Sequence, residues 1–80
     1  MPRYYVDLTK LNQLIGSSGL KPGFIVQRLN LPSYEALKRR LRGETEFKLE
    51  EAGALAKLLN LSAEEANSIF FATKVDKLSS

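Results

Sequence analysis

The chain has 80 residues, of which 44% are hydrophobic and 26% are charged, a composition typical of one small globular domain. It contains neither cysteine nor histidine, which excludes disulfides, thiolate zinc sites and catalysis by the commonest general base. The net charge is only +3, and the serines, glycines and acidic pairs form no active-site motif, so we expect no enzyme, no cofactor and no metal.

The first predicted helix starts after Asp7, whose side chain can accept a hydrogen bond at a helix N-terminus. Four apolar residues then recur at helical spacing and define an amphipathic helix of about ten residues. We expect this helix to end in the sequence GSSG at residues 16–19, because glycine supplies the left-handed conformation that follows many helices. Its apolar residues are Leu8, Leu11, Leu14 and Ile15.

The second predicted helix is short, about eight residues, and begins at Pro22, which suits the first turn of a helix. Its apolar stripe consists of Ile25, Val26 and Leu29. A sharp turn with the sequence NLPS follows at residues 30–33. Asn30 tolerates a left-handed backbone, the proline cannot continue the helix, and Ser33 is a good N-cap for the next one.

The third predicted helix covers about residues 33–42 and ends at Gly43. Leu37 and Leu41 are four residues apart and face the core. At 100° per residue, the opposite face carries three charged side chains with a fourth at its flank, whereas Arg40 is turned well away from them. We therefore expect Arg40 to be an ordinary solvated side chain. The opposite face consists of Glu35, Arg39 and Arg42, with Lys38 at the flank.

Two more helices are predicted towards the end of the chain. The fourth ends at Asn60, and the fifth begins at Ser62, with Glu65 three residues later in the spacing of a capping box. Adjacent phenylalanines on one helix cannot easily both point inward, so we expect one of Phe70 and Phe71 to be exposed. The apolar stripes are Leu49, Ala52, Leu55, Ala56 and Leu59 in the fourth helix and Ala66, Ile69 and Phe70 in the fifth.

These elements predict an all-α domain of five helices spanning residues 1–80. Its second and third helices, about residues 22–42, have the arrangement of a helix-turn-helix, in which a tight turn of three or four residues joins two short helices. Residues 4–6 alternate in the manner of a strand, but this stretch is too short to predict one.

The positive charge is concentrated in one part of the chain. Residues 21–43 carry six cationic side chains against Glu35, whereas residues 44–80 have a net charge of −3. One strongly basic region suits a polyanionic partner, and chance clustering on an exposed helix is the alternative explanation.

Two stretches resemble the lambda-repressor-like superfamily, and within it the small Cro- and repressor-type regulators of phages and prophages. They are FIVQRL at residues 24–29 and LKRRLRGETEFKL at residues 37–49. The sequence IFFA at residues 69–72, followed by KVD at 74–76, is similar to the ending of several of those proteins. The resemblance covers residues 8–76.

The chain departs from the family pattern at the second helix and its turn. Val26 stands where the family usually has alanine, and Asn30 stands where it usually has glycine. The segment from Asn30 to Leu37 is one residue longer than in most relatives. This longer turn leaves open whether Tyr34 or Glu35 is the first residue to meet a base.

The resemblance implies a sequence-specific DNA-binding transcriptional regulator that docks the helix at residues 33–42 in the major groove of an operator. An arginine in this position can donate two hydrogen bonds to guanine, which makes Arg39 the leading candidate for base recognition. The candidates for base contact are Ser33, Tyr34, Glu35, Lys38 and Arg39, and those for contact with the DNA backbone are Lys21, Arg28 and Arg42.

Glu44 and Glu46 lie in a loop where the family usually has basic residues. These carboxylates either repel the DNA backbone and restrict docking, or Glu46 and Glu50 favour the start of the fourth helix through its dipole. We prefer the second interpretation. Phe47 and one of the two later phenylalanines are expected to belong to the core, and we do not expect these rings to line a ligand pocket.

The expected partner is double-stranded DNA with a palindromic operator, bound by a homodimer, since a domain this small buries little surface alone. An exposed phenylalanine beside Val75 and Leu78 suits a dimer contact. We expect a cytoplasmic protein with no membrane segment, because the N-terminal stretch lacks the apolar core of a signal peptide. The alternative function is an antirepressor, an antitoxin or another protein-interaction module built on the same fold.

Overall fold

The computed structural model describes residues 4–73, which form five helices and a pair of two-residue strands. The predicted all-α class is confirmed, and the short strand pair is an addition to it. Within the described residues, no helix is both long enough and apolar enough to cross a membrane. The elements are β1 Tyr4–Tyr5, α1 Leu8–Ser18, α2 Pro22–Arg28, α3 Tyr34–Leu41, α4 Leu49–Leu58, α5 Ala63–Phe70 and β2 Ala72–Thr73.

Helix α1 begins as predicted and ends within the predicted GSSG sequence. The Oδ1 atom of Asp7 accepts a hydrogen bond from the Lys10 N–H at 3.1 Å and so caps the helix. The helix continues through Gly16 to Ser18, because an exposed glycine costs a helix only about 1 kcal/mol relative to alanine. Gly19, with a φ of 78°, is the residue that ends it.

Three helices end in the same backbone turn, the Schellman motif. A residue with positive φ follows each C-cap: Asn30 after α2 at 57°, Gly43 after α3 at 84° and Asn60 after α4 at 56°. The left-handed backbone predicted for Asn30 is confirmed. In each case the next N–H donates to a carbonyl five residues earlier. These bonds run from Leu31 to Val26 at 3.0 Å, from Glu44 to Arg39 at 2.9 Å and from Leu61 to Ala56 at 3.0 Å.

The core takes one fully buried side chain from every helix, and all of these side chains belong to the predicted stripes. They are Leu11, Ile25, Leu37, Leu55 and Ile69. The prediction that Leu49 continues the stripe of α4 is wrong, because its side chain is 73% exposed. Leu49 precedes Leu55 by six residues, which rotates it about 120° away from the buried face.

The connection between α2 and α3 spans residues 29–33, slightly more than the three or four predicted. Leu31 in its middle is buried in the core, although its place in the predicted turn does not indicate burial. The connection therefore packs against the body of the protein as well as changing the direction of the chain.

The two ends of the described chain meet beside α5. Strands β1 and β2 pair antiparallel, and the Asp7 N–H donates to the Ile69 carbonyl at 2.7 Å. Phe70 is buried and makes an edge-to-face contact with Phe47, whose ring centroid lies 5.9 Å away, while Phe71 is partly exposed. The prediction that one of the adjacent phenylalanines is exposed is confirmed. Val75 and Leu78, the proposed companions of Phe71, lie outside the described residues.

A largely buried ion pair joins α3 to α4. The Nε atom of Arg40 donates to Oε1 of Glu51 at 2.7 Å, and Nη2 donates to Oε2 at 3.2 Å. The side chains are only 11% and 7% exposed. Arg40 also donates to the Ala36 carbonyl, and Glu51 accepts from the Lys48 N–H. The expectation that Arg40 is a solvated side chain is therefore wrong.

The position of Arg40 on its helix explains this burial. It lies about 60° from Leu37 around the helix axis, on the edge of the core-facing side rather than on the outer face. Burial raises the pKa of the Glu51 carboxyl, but the hydrogen bonds from Arg40 and from the Lys48 N–H lower it by more. The pKa of Glu51 consequently lies below its ordinary value, and the carboxylate stays charged.

The change Glu51→Gln should lower the free energy of unfolding by about 2 kcal/mol at pH 7, because it leaves the Arg40 guanidinium without its anion. Since the folded-state pKa is depressed, this contribution is complete above the ordinary carboxyl pKa of about 4.3 and disappears as the pH falls further. Urea unfolding at several pH values measures both effects. Glu50→Gln, one residue earlier in the same helical turn, is the control, and an equal loss in both variants would contradict the prediction.

Candidate functional site

The outer face of α3 is held by contacts on its inner side. The Ser33 hydroxyl accepts a hydrogen bond from the Ala36 N–H at 3.2 Å, and this caps the helix as predicted. Leu37 is only 1% exposed, and the half-buried Leu41 packs against the core cluster. These contacts and the ion pair of Arg40 fix the helix rotation, so that the predicted outward-facing residues do face solvent.

Glu35 lies at the centre of a group of three cationic side chains on this face. Its carboxylate is 3.6 Å from Lys38 Nζ, 4.0 Å from Arg39 Nε and 3.3 Å from Arg42 Nη2. All four residues belong to α3 or its C-cap, as the 100° helical spacing predicts. The outer face therefore carries both signs of charge, with three cationic side chains around one central carboxylate.

Glu44 binds the same arginine from the loop side. The Arg42 guanidinium donates from Nε to Glu44 Oε2 at 2.6 Å and from Nη2 to Glu44 Oε1 at 3.4 Å. Neither interpretation of the loop carboxylates anticipated this direct contact. The first turn of α4 does contain Glu50 and Glu51, but Glu51 is the residue whose carboxylate accepts from the N-cap backbone.

These contacts move three pKa values in the direction that keeps every group charged. The hydrogen bond from Arg42, assisted by the charge of Lys38, holds the pKa of Glu35 below its ordinary value. The hydrogen bond from Arg42 likewise lowers the pKa of Glu44. The hydrogen bonds to Glu44 and Glu35 raise the pKa of Arg42, and the bond to Glu44 has the larger effect.

The side chains of Arg39, Arg40 and Arg42 differ in how firmly they are bound by other groups of the protein. Arg39 has one weak contact at 4.0 Å and a side chain that is 58% exposed. Arg42 is also well exposed, but its N–H groups bind two carboxylates. Arg40 is fixed in the interior. The structure therefore leaves Arg39 the most available for a new partner and removes Arg40 from the outer face.

Two of the cationic side chains make cation–π contacts with aromatic rings. Lys38 Nζ lies 5.2 Å from the centroid of the Tyr34 ring, and Arg28 Cζ lies 5.6 Å from that of Phe24. Tyr34 and Phe24 are both exposed. Each ring attracts its cation through the negative face of its π system and limits the positions that the long side chain visits.

Lys21 and Arg28 stand apart from the cluster around Glu35. Lys21 is exposed at the N-cap of α2, and Arg28 is exposed in its last turn. None of the ion pairs found among residues 4–73 connects either of them to that cluster. Of the eight predicted site residues, α3 and its two caps bring together Ser33, Tyr34, Glu35, Lys38, Arg39 and Arg42.

Two of the cavities on the described part of the protein flank α2 and α3, and neither is lined by a predicted base-contact residue. The larger, of about 410 Å³, lies behind α3 and is mainly apolar, with Phe47, Phe70 and Arg40 in its wall. The smaller, of about 290 Å³, separates Arg28 from the start of α4. Among the described residues, no three potential metal-ligating side chains come together.

Comparisons of the chain with models of protein families, with curated proteins and with solved structures return no match.

The change Ser33→Ala should lower the free energy of unfolding by about 1 kcal/mol, because the Ala36 N–H loses its capping acceptor. Ser33→Asn is the matched control, since asparagine caps helices about as well as serine. Thermal unfolding followed by circular dichroism measures the difference. An alanine variant as stable as the asparagine variant would show that the cap contributes nothing to α3.

Proposed function

We propose that the protein is a sequence-specific DNA-binding transcriptional regulator of the helix-turn-helix kind, similar to the lambda-repressor-like superfamily. The observation that carries this proposal is the outer face of α3, where Lys38, Arg39 and Arg42 lie side by side on a helix anchored by Leu37. A helix of this size enters the major groove of B-DNA, which is about 12 Å wide. Cations on its outer face then reach base edges and phosphates.

Arg39 is the proposed reader of a guanine, because its weakly held guanidinium can donate to both O6 and N7. Lys38 and Glu35 flank it and can donate to guanine and accept from a cytosine amino group, respectively. Ser33 and Tyr34 stand at the helix N-terminus, the end that meets base edges first in helix-turn-helix proteins.

Three other cations are proposed to contact the DNA backbone. Arg42 lies at the C-terminal end of α3, and Lys21 and Arg28 lie at the two ends of α2. In helix-turn-helix complexes the first of the two helices crosses the sugar–phosphate backbone while the second enters the groove. Contacts of this kind position the protein on the duplex without reading its sequence.

We further propose that two copies bind a palindromic operator and repress by occupancy in the cytoplasm. One α3 contacts a few base pairs, and the specificity that regulators reach usually requires two half-sites about one helical turn apart. Phe71, which is partly exposed near the paired chain ends, is one described residue that suits a contact between copies.

The mixed charge of the α3 face favours a second candidate function. Glu35 and Glu44 are interleaved with the three cations, and such a pattern also complements a protein surface that carries both signs. An antirepressor or an antitoxin would use α3 to bind another protein. The effect of Arg39→Ala on binding to DNA and to a protein partner separates the two functions.

Selection of bound sites from random duplex DNA at about 50 and about 200 mM salt should enrich a palindrome, and affinity should fall steeply between the two salt concentrations as phosphate counterions return. Fluorescence anisotropy on the enriched site measures the slope. Binding that is undetectable, or that does not respond to salt, would rule out the proposed function.

Replacement of Arg39 by alanine should weaken binding to the selected site by about tenfold to a hundredfold, because a bidentate contact to guanine is lost. Lys57→Ala on α4 removes the same charge from another exposed helix position and controls for net charge. Anisotropy titrations of both variants provide the comparison. If the two variants lose equal affinity, Arg39 does not read a base.

A further inference from the structure

The residue that donates the closing backbone bond of the turn after α3 is Glu44, a charged residue, whereas its counterparts after α2 and α4 are leucines. In the Schellman motif this residue usually makes a hydrophobic contact with the last turn of its helix. Leu31 after α2 is buried and Leu61 after α4 is half-buried, and both pack with the core. Glu44 after α3 is exposed instead. The position therefore adds no apolar packing in α3, although its backbone bond to Arg39 is retained.

The Glu44 side chain is aimed at Arg42, which the proposed function assigns to the DNA backbone. Oε2 accepts from Nε at 2.6 Å and Oε1 accepts from Nη2 at 3.4 Å, a two-point contact across one edge of the guanidinium. Phosphate oxygens bind arginine in the same forked geometry. A DNA phosphate that approaches this edge must take the donors that Glu44 occupies.

The contact is accessible enough to be exchanged. Both side chains are about half exposed, in contrast to the interior pair of Arg40 and Glu51. Exposed ion pairs contribute little to protein stability, because water screens them and ordering two long side chains costs entropy. Breaking the contact between Arg42 and Glu44 thus leaves the fold intact.

We infer that Glu44 is an affinity-determining residue that competes internally with DNA phosphate for the Arg42 guanidinium. This inference rests on the proposed DNA-binding function and adds a regulatory contact to it. In the free protein Glu44 occupies two donors of Arg42, one of which Glu35 shares. On DNA, a phosphate replaces the Glu44 carboxylate, which then returns to solvent. The competition lowers affinity for every duplex, so that base contacts made elsewhere on α3 decide where the protein stays bound.

The exchange has a distinct signature in the salt dependence. An arginine that is unpaired before binding contributes its full charge to the release of cations condensed on DNA, whereas the charge of Arg42 in the native protein is partly offset by Glu44. Removing that carboxylate should therefore make the slope of log K against log salt steeper, by at most about one unit. The gain in affinity should shrink by at most about fourfold between roughly 50 and 200 mM salt.

The test compares Glu44→Gln with Glu64→Gln on a non-specific duplex by fluorescence anisotropy over this salt range. Glu64 is exposed in the first turn of α5 and provides the same change in net charge away from α3. The inference requires tighter binding and a steeper slope for Glu44→Gln than for Glu64→Gln. If the two variants behave alike, the effect comes from net charge alone and the inference is overturned.

The same pair of changes is then made in an Arg42→Gln background. If Glu44 acts by occupying Arg42, Glu44→Gln and Glu64→Gln should behave alike there. A persistent advantage of Glu44→Gln would mean that the carboxylate repels DNA directly, which overturns competition for Arg42. Circular dichroism checks that every variant is folded.

The outcomes also separate this inference from the function on which it rests. If the native protein binds no duplex at any salt concentration, the proposed function fails and the inference fails with it. If the native protein binds DNA and loses its site preference with Arg39→Ala, but Glu44→Gln matches Glu64→Gln, the inference alone fails.

Discussion

The ion pair between Arg40 and Glu51 is the contact on which the arrangement of α3 depends. One carboxylate accepts from the guanidinium and from the backbone at the start of α4, and the same guanidinium donates to a carbonyl within α3. Because these bonds are directional, they fix the rotation of α3 as well as its distance from α4. Apolar contacts through Leu37 hold the helix to the core, but they are not directional in the same way.

This fixed rotation determines which charges are available at the surface. Arg40 is turned into the protein, and the remaining cations of α3 are left on one face around Glu35. A rotation of the helix large enough to bury one of these cations would carry a large desolvation cost and would turn Leu37 towards solvent. The orientation of α3 thus determines both the buried ion pair of Arg40 and the charges on the outer face.

Much of this fold could be predicted because the signals are local. Asp7, Ser33 and Ser62 cap helices through acceptors three residues from their partners, and each does so in the structure. The buried side chain of every helix also follows from spacing, since a 3.6-residue period needs no knowledge of neighbours. The outward face of α3 was predictable by the same geometry.

What could not be predicted depends on contacts between distant segments. Arg40 and Glu51 are eleven residues apart on different helices, so helix spacing alone placed Arg40 away from the other cations but could not supply its partner. The strand pair joins residues almost seventy positions apart and contains only two residues on each side. Leu31 looked like part of a turn, because its burial depends on how the connection folds back against the core.

The Schellman turn after α3 has a consequence for how this protein can vary. Its fold depends on Gly43, which has a left-handed backbone and at which an added Cβ would lie 3.0 Å from a Leu8 side-chain atom. It also depends on the backbone N–H of position 44, which every residue except proline provides. Position 43 is therefore constrained, while its neighbour is open to exchange. A substitution at position 44 changes the charge beside α3 and keeps the same architecture, so the two properties can evolve separately.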